Sequence, residues 1–420
     1  LDGMTLSKRK EIIEAIRKIC LENVETLSRM AVEETGLGRF EDKIIKNKLV
    51  INETPGTEIL RPISYTGDHG LTLIERAPYG VIGSITPCTN PTETIICNGI
   101  GMIAGGNTVV FNTHPTAKKV SVFVVDLINK AIMNAGGPQN VLTTVETPTI
   151  ESANQLMKHP DIALLVVTGG PAVVKAAMNS GKKVIGAGPG NPPAVVDETA
   201  DIPQAAKDIV SGASLDNNII CIVEKEVLAV DSICNQLKSE MVKNGAYELN
   251  SMQTKRLEKL LVQEPYSCTC HGVVNKNFVG KDAKVILKAI DVDVSDDIRL
   301  IITDVPFEHQ FVQCELLMPV LPIVRVSDVD TAIDLAKKAE HGFRHTAVMH
   351  SRNIDKLSKM ARLINTSIFV KNGPSYSGLG FTGEGYTSFT IASPTGEGIT
   401  TAINFTRERR CTLKDRFRIV

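Results

Sequence analysis

Residues 79–112, YGVIGSITPCTNPTETIICNGIGMIAGGNTVVFN, decide how this chain folds. The segment opens on a short apolar run, Val81-Ile82-Gly83-Ser84-Ile85. It passes through a helical stretch from Thr92 to Ala104 and returns to a second run, Asn107-Thr108-Val109-Val110-Phe111. Two short β-branched runs joined by a helix are the pattern of a parallel crossover unit. The alternation continues outward. A helix is predicted from about Pro115 to Asn134, a strand over Val141 to Val145, and a short helix near Ser152. Then come a fully apolar strand from Ile162 to Val167, a helix from Pro171 and a strand at Lys183-Val184-Ile185. Strands apolar along their length belong to a parallel sheet covered on both faces. Upstream, Ile12, Ile13, Ile16 and Ile19 recur at helical spacing within a stretch from Leu6 to about Glu34, read as a helix broken in two and ended by Gly36 and Gly38. Ile63 to Ile74 alternates around Gly67-Asp68-His69-Gly70, a hairpin signal.

After Cys221 the pattern restarts. Strands are predicted at Val223 to Val230, Arg299 to Thr303, Val320 to Val326, Thr346 to His350 and Ser367 to Val370, with helices from Ser232 to Lys243 and from Asp328 and Asn353. This is a second α/β domain. The end of the chain, Phe405 to Val420, is rich in arginine. Its charges alternate with Cys411, Leu413, Phe417 and Ile419, which predicts an extended arm with one solvated face.

A chain of 420 residues has room for two or three domains, and 43% hydrophobic with 22% charged residues is ordinary for a globular protein. A net charge of -1 gives no field favouring nucleic acid or an anionic membrane. No apolar run approaches the roughly 20 residues that cross a bilayer, and no secretory pattern follows Leu1. Nine cysteines without framework spacing fit a reducing, cytoplasmic compartment better than a disulfide scaffold. Cys268-Thr269-Cys270-His271 looks like a metal-ligand cluster. It has no second pair at zinc spacing nearby, so no metal is predicted.

Taken singly, the chemical motifs are weak. Thr168-Gly169-Gly170-Pro171 follows an apolar strand and opens a helix, where glycines let backbone approach a phosphate; it also reads as an ordinary β-α turn. Gly186-Ala187-Gly188-Pro189-Gly190 lacks the spacing of a dinucleotide fingerprint. Cys221 alone reads as a small buried residue, Asn90 as a turn residue before proline, and Glu315 as a solvated acid before a strand.

Their order carries more. The chain runs through Ala77-Pro78-Tyr79-Gly80-Val81, Pro87-Cys88-Thr89-Asn90-Pro91, Gly105-Gly106-Asn107-Thr108-Val109, Val167-Thr168-Gly169-Gly170, Gly188-Pro189-Gly190-Asn191-Pro192, Asn217-Asn218-Ile219-Ile220-Cys221, Glu315-Leu316-Leu317-Met318-Pro319 and Gly396-Glu397-Gly398. This series resembles the aldehyde dehydrogenase superfamily from near its start to near its end. The stretch from Thr89 to Thr94 and that around Cys221 resemble the CoA-acylating acetaldehyde and propionaldehyde dehydrogenases of bacterial microcompartments. The resemblance implies Cys221 as nucleophile and Asn90 as an amide donor to the oxyanion, with the backbone N–H at Cys221. It implies Pro87, His114, Thr168, Gly169, Gly170, Gly188 and Glu315 around the cofactor, with Glu315 on the nicotinamide ribose. NAD is the implied cofactor, with NADP left open because Asn112 and Pro115 stand where the family often has a lysine and an acid. Coenzyme A is the implied second substrate. A homodimer or homotetramer built through the arm, a microcompartment shell as neighbour, and residence in the cytoplasm or inside such a compartment are also implied.

One departure decides the reaction. The hydrolytic branch carries Glu-Leu-Gly-Gly-Lys-Asn-Pro, whose glutamate activates water. The corresponding stretch here is Gly186-Ala187-Gly188-Pro189-Gly190-Asn191-Pro192, so Gly186 stands at the base position. Water, with a pKa near 15.7, needs a base, whereas a thiol near 8.5 is already a few per cent ionised at neutral pH. Losing the base therefore handicaps hydrolysis more than thiolysis. The expected architecture is an aldehyde-dehydrogenase-like α/β fold. It has a Rossmann-type cofactor domain over 1–214 with a hairpin at about 60–76, a catalytic α/β domain over 215–390, and a return and oligomerisation arm over 391–420. Two rivals remain at this level: a semialdehyde dehydrogenase of the glutamate-semialdehyde type, and an inactive scaffold of the same fold.

Overall fold

The computed structural model describes residues 1, 3–267 and 270–420, with backbone alone at 270 and 271. Cys268 and Thr269 lie outside the described residues, and the cluster read at 268–271 with them. The chain divides into two compact units, one of Leu1–Glu34, Ile44–Ala187 and Tyr386–Val420, the other of Thr35–Lys43 and Gly188–Gly385.

The first unit opens with α1 (Leu6–Glu22) and α2 (Val24–Thr35). Thr5 caps α1 by accepting from Lys8 N–H at 3.2 Å, and Ile12, Ile13, Ile16 and Cys20 form its buried face. The sequence reading passed over α3 (Phe40–Glu53), whose Lys43 and Lys46 are buried. Strands β1 (Ile63–Gly67) and β2 (Gly70–Pro78) form the expected hairpin, with Gly67 opposite Gly70. Then β3 (Val81–Ile85), α4 (Pro91–Ala104), β4 (Thr108–Asn112), α5 (Lys118–Asn134), β5 (Leu142–Thr144), α6 (Ile150–Lys158), β6 (Ile162–Thr168), α7 (Pro171–Met178) and β7 (Val184–Ala187) follow in turn.

The parallel sheet runs β5-β4-β3-β6-β7. Numbered by appearance that is 3-2-1-4-5, the Rossmann order, with its switch point between β3 and β6. Helix α4 is buried on every side, its polar Thr92, Glu93, Thr94 and Asn98 included. It is close-fitted: a Cβ on Gly101 would stand 3.0 Å from the Phe405 ring.

The second unit begins with β8 (Pro193–Val196), α8 (Ile202–Ser214), β9 (Glu226–Val230), α9 (Asp231–Lys243), β10 (Ala246–Glu248), α10 (Ser251–Leu261) and the hairpin β11 (Val262–Ser267) and β12 (Cys270–Val274). It continues with α11 (Ala283–Lys288), β13 (Leu300–Asp304), α12 (Gln310–Gln313), β14 (Val320–Val326), α13 (Val329–Ala339), β15 (Thr346–His350), α14 (Ile354–Ile364) and β16 (Ile368–Lys371). Its seven parallel strands run β10-β13-β14-β9-β8-β15-β16. Residues 188–214, placed by the sequence reading in a 1–214 cofactor domain, supply β8 and α8 to this unit. The expected strand from Val223 begins only at Glu226, because residues 221–225 form a buried turn.

Short β17 (Ile391–Ala392) and β18 (Gly398–Ile399) lead back through the first unit to β19 (Thr406–Lys414), which pairs antiparallel with β2 along its whole length. The arm differs from the expected strand with one solvated face. Every residue of β19 after Thr406 is exposed, and so is all of β1, while the central β2 is mostly half-buried with Ile74 buried.

Candidate active site

The first unit gathers its candidate residues at the carboxyl ends of parallel strands. Pro87 and Asn90 follow β3, His114 follows β4, and Thr168, Gly169 and Gly170 follow β6. Strands β3 and β6 flank the switch point, where open α/β sheets bind ligands. Residues at the β6 end suit a phosphate. The strand runs into Thr168, α7 starts at Pro171 with its N–H groups directed out of the helix, and a Cβ on Gly170 would meet nothing within 4 Å. Thr168 is tied in place by its hydroxyl contact with Thr390 at 2.9 Å. His114 is exposed and caps the turn 115–117, its Nδ1 lying 2.8 Å from the Thr116 hydroxyl. Asn112 is buried and accepts from the Ser152 hydroxyl at 2.6 Å, so that side chain is committed inside the unit.

Asn90 is buried immediately before α4. Its amide is oriented by Lys46, whose ammonium donates to Asn90 Oδ1 at 2.6 Å and pairs with Glu93 at 3.0 Å. With Oδ1 accepting from a cation, Nδ2 is the donor end of the amide, and it donates to the Thr89 hydroxyl at 3.2 Å. Nothing in the sequence reading had singled out Lys46.

The second unit places Cys221, Glu315 and Gly188 in loops that precede parallel strands. Cys221 precedes β9, Glu315 precedes β14, and Gly188 to Pro192 precede β8. His345, which the sequence reading also missed, precedes β15. These four strands are consecutive neighbours, β14-β9-β8-β15, so their amino ends meet at one place in the sheet.

The turn into Cys221 is built from backbone few residues accept. Asp216, Asn217 and Asn218 have φ of 50°, 53° and 66°, a left-handed run tolerated best by Asn, Asp and Gly. Asp216 is held by a fully buried ion pair with Lys43 at 2.9 Å and by Arg39 N–H at 2.8 Å. Asn217 donates to Gly280 O at 3.0 Å and to Asp282 at 2.9 Å, and Asn218 donates to Ala213 O at 2.7 Å and Glu224 O at 3.0 Å.

Cys221 itself is partly exposed, unlike Cys20, Cys97, Cys234 and Cys314, which are buried. Burial pushes the Cys20 thiol up to about 12 and the Cys234 thiol up to about 11. Gly190 lies against the backbone of Cys221. A Cβ there would stand 2.6 Å from the Cys221 carbonyl oxygen and 3.0 Å from His345 Cγ. His345 is 1% exposed, and its Nδ1 lies 2.9 Å from the Thr346 hydroxyl. Burial, with the nearby Lys225 charge, pushes its imidazole down to about 3, so it is neutral at physiological pH. Glu315 lies 3.4 Å from Gly190 N–H; desolvation raises its carboxyl above the usual range while Lys225 opposes that rise. Glu224 is wholly buried against Gly212, accepts from Ser375 N–H at 2.8 Å and from its hydroxyl at 2.7 Å, and is pushed by burial up to about 7.

Gly186, at the expected base position, lies inside β7 in the first unit. Its N–H donates to the Thr395 hydroxyl at 3.0 Å. The only side-chain space there is tight, since a Cβ would approach Val174 Cγ1 to 3.1 Å.

Comparisons with known proteins agree with this architecture. A model of the aldehyde dehydrogenase family matches residues 1–389. The chain is 52% identical over 421 residues to an acetaldehyde dehydrogenase (acetylating) of Bilophila wadsworthia, spanning 99% of this chain and 87% of that one. A solved propionaldehyde dehydrogenase from the Clostridium phytofermentans fucose utilisation bacterial microcompartment superposes with a TM-score of 0.96 at 52% identity, over 100% of this chain and 95% of that one. A propionaldehyde dehydrogenase of Rhodopseudomonas palustris, solved with bound CoA and an acylated cysteine, superposes with a TM-score of 0.95 at 52% identity, over 98% and 93% of the two chains.

Two substitutions test the geometry around Cys221. Gly190→Ala should displace the Cys221 carbonyl, lowering turnover by about 10²-fold and the thermal midpoint with it, since the new methyl group meets backbone and a buried ring; wild-type turnover and midpoint would show that the contact does not matter. For Glu224 the folded carboxyl is raised, so its contribution to stability is present below about pH 4.5 and is lost as pH rises through about 7. Glu224→Gln should remove that loss. The stability measured at pH 8 relative to pH 5, by denaturant midpoints, should therefore be higher in the variant than in the wild type.

Proposed function

The chain belongs to the aldehyde dehydrogenase family, and we propose that Cys221 carries its reaction, the oxidation of a short-chain aldehyde to an acyl-CoA thioester. The reaction class is that of a CoA-acylating aldehyde dehydrogenase with a nicotinamide cofactor, and NAD is the one we assign. Of the Asn90, Cys221 and Gly186 positions, Gly186 decides the outcome. The position from which the hydrolytic branch draws its water-activating carboxylate has no side chain and is filled by a β-strand backbone.

The Cys221 sulfur adds to the aldehyde carbonyl carbon, and the carbonyl oxygen takes the negative charge as the C–S bond forms. The Cys221 N–H and the Asn90 amide are the donors assigned to that oxygen, the latter aligned by Lys46. When bound, a nicotinamide cofactor would accept the hydride, and the Thr168–Gly170 turn and Glu315 are the residues assigned to hold it. Collapse of the adduct leaves an acyl group on Cys221 as a thioester. The CoA thiol then attacks the acyl carbon, its proton passes to a base or solvent, and Cys221 leaves as the thiolate. Losing one oxyanion donor typically costs about 10²–10³ in rate, which sets the weight carried by Asn90.

Propionaldehyde and acetaldehyde are the substrates the relatives suggest, and residence in a bacterial microcompartment follows the origin of the C. phytofermentans neighbour. The sheet of β1, β2 and β19, with Ile63, Tyr65 and Leu413 exposed, supports a homodimer or homotetramer assembled through this arm.

The test is a product assay with propanal and NAD, with and without CoA. Wild-type protein should give a burst of NADH without CoA and propionyl-CoA with it, whereas rapid propionate formation that ignores CoA would overturn the reading. Cys221→Ala should abolish both the burst and the thioester. Gly186→Glu should raise the share of free acid among the products, while Gly186→Ala, which meets the same Val174 contact without a carboxylate, should not; equal product ratios in the two folded variants would remove the missing base as the explanation.

A further inference from the structure

The Cys221 turn contains a buried cation that the reaction scheme does not use. Lys225 is 3% exposed, four residues after the nucleophile and one before β9. Its ammonium has three N–H donors and three acceptors: Asn218 O at 2.7 Å, Asn218 Oδ1 at 2.7 Å and Ile220 O at 3.2 Å. All three are neutral oxygens on the turn that carries Cys221. The backbone N–H of Lys225 is also committed, donating to Pro192 O at 2.9 Å, which ties the turn to the Gly190 segment.

The Ile220 carbonyl belongs to the same peptide as the Cys221 N–H. A cation hydrogen-bonded to one end of a peptide draws electron density from the other and makes its N–H a stronger donor. We propose that Lys225 is a positioning residue for the chemistry at Cys221, holding the turn by three hydrogen bonds and placing positive charge on the peptide that bears the nucleophile's N–H. The inference rests on Cys221 as the nucleophile. A purely structural role explains the placement less well, since an apolar side chain would fill the space without burying a charge among neutral acceptors.

The charges facing Lys225 are consistent with an ammonium at neutral pH. Burial pushes it down to about 8, while Glu315, Cys221, Glu226 and Glu224, in that order, oppose the fall. Glu226 and Glu224 are themselves held toward the neutral acid by burial, and His345 is uncharged. Burial raises the Glu315 carboxyl as well, with Lys225 opposing that rise.

The experiment follows alkylation of the Cys221 peptide by iodoacetamide from pH 6 to 10, read by mass spectrometry, beside the NADH burst with propanal and NAD. In wild-type protein the alkylation should reach half its maximum below about pH 8.5, the value of an ordinary thiol. Lys225→Met and Lys225→Gln should both move that point up by about one unit or more and slow the burst at least tenfold. Glutamine keeps donors but no charge, so a folded Lys225→Gln protein with the wild-type alkylation profile and burst overturns the inference. If neither variant folds, the wild-type profile decides: half-maximal alkylation at or above about pH 8.5 overturns it, and a clearly lower value supports it. Cys221→Ser separates the two readings. A burst surviving that change removes the nucleophile assignment itself, whereas a dead Cys221→Ser beside normal Lys225 variants removes only the role of Lys225.

Discussion

Three left-handed residues, Asp216, Asn217 and Asn218, turn the chain out of α8 and aim Cys221 at the amino end of β9. Left-handed backbone costs roughly 1–2 kcal/mol per ordinary L-residue, less for Asn and Asp, so the turn persists only because its surroundings leave it no alternative. Those surroundings are polar and buried. A lysine–aspartate pair closes one side, asparagine amides satisfy carbonyls on the other, and the Lys225 ammonium spans the end.

The two sheets present their chemistry from opposite ends. In the first unit the candidate residues follow strands, at the carboxyl edge where β-α turns and helix N-termini collect phosphate. In the second they precede strands, in loops packed from below by the sheet's apolar core. A loop that enters a strand is tethered at its exit by the parallel ladder, which suits a nucleophile that must not move. Gly190 shows how little room is left: a single methyl group would meet the backbone of Cys221.

Much of this was legible in the sequence, for reasons that can be named. Strand β6, inside the first sheet, announces itself because a parallel strand covered on both faces is apolar nearly throughout. The helix caps at Asp328 and Asn353 were visible because those side chains serve the N–H groups that follow them. What escaped was buried charge. Helix α3 went unread and carries Lys43 and Lys46 into the interior, and Glu224-Lys225-Glu226 was folded into a strand although three adjacent charges before an apolar run should have marked a turn with internal partners. Strand β8 hid behind Pro192-Pro193, since proline is tolerated only where a strand begins. The roles of Cys221, Asn90 and Glu315 came from the order of motifs, not from their local context, and nothing local distinguishes Cys221 from the other thiols.

That last point has a practical side. A protein that handles aldehydes and acyl thioesters bathes its own side chains in electrophiles, and every accessible sulfur competes with the intended one. Burial keeps Cys20, Cys97, Cys234 and Cys314 out of that competition, and in the first three it also suppresses ionisation, whereas Cys88 and Cys411 stay within reach of solvent. Shielding of the interior thiols is thus a part of selectivity alongside activation.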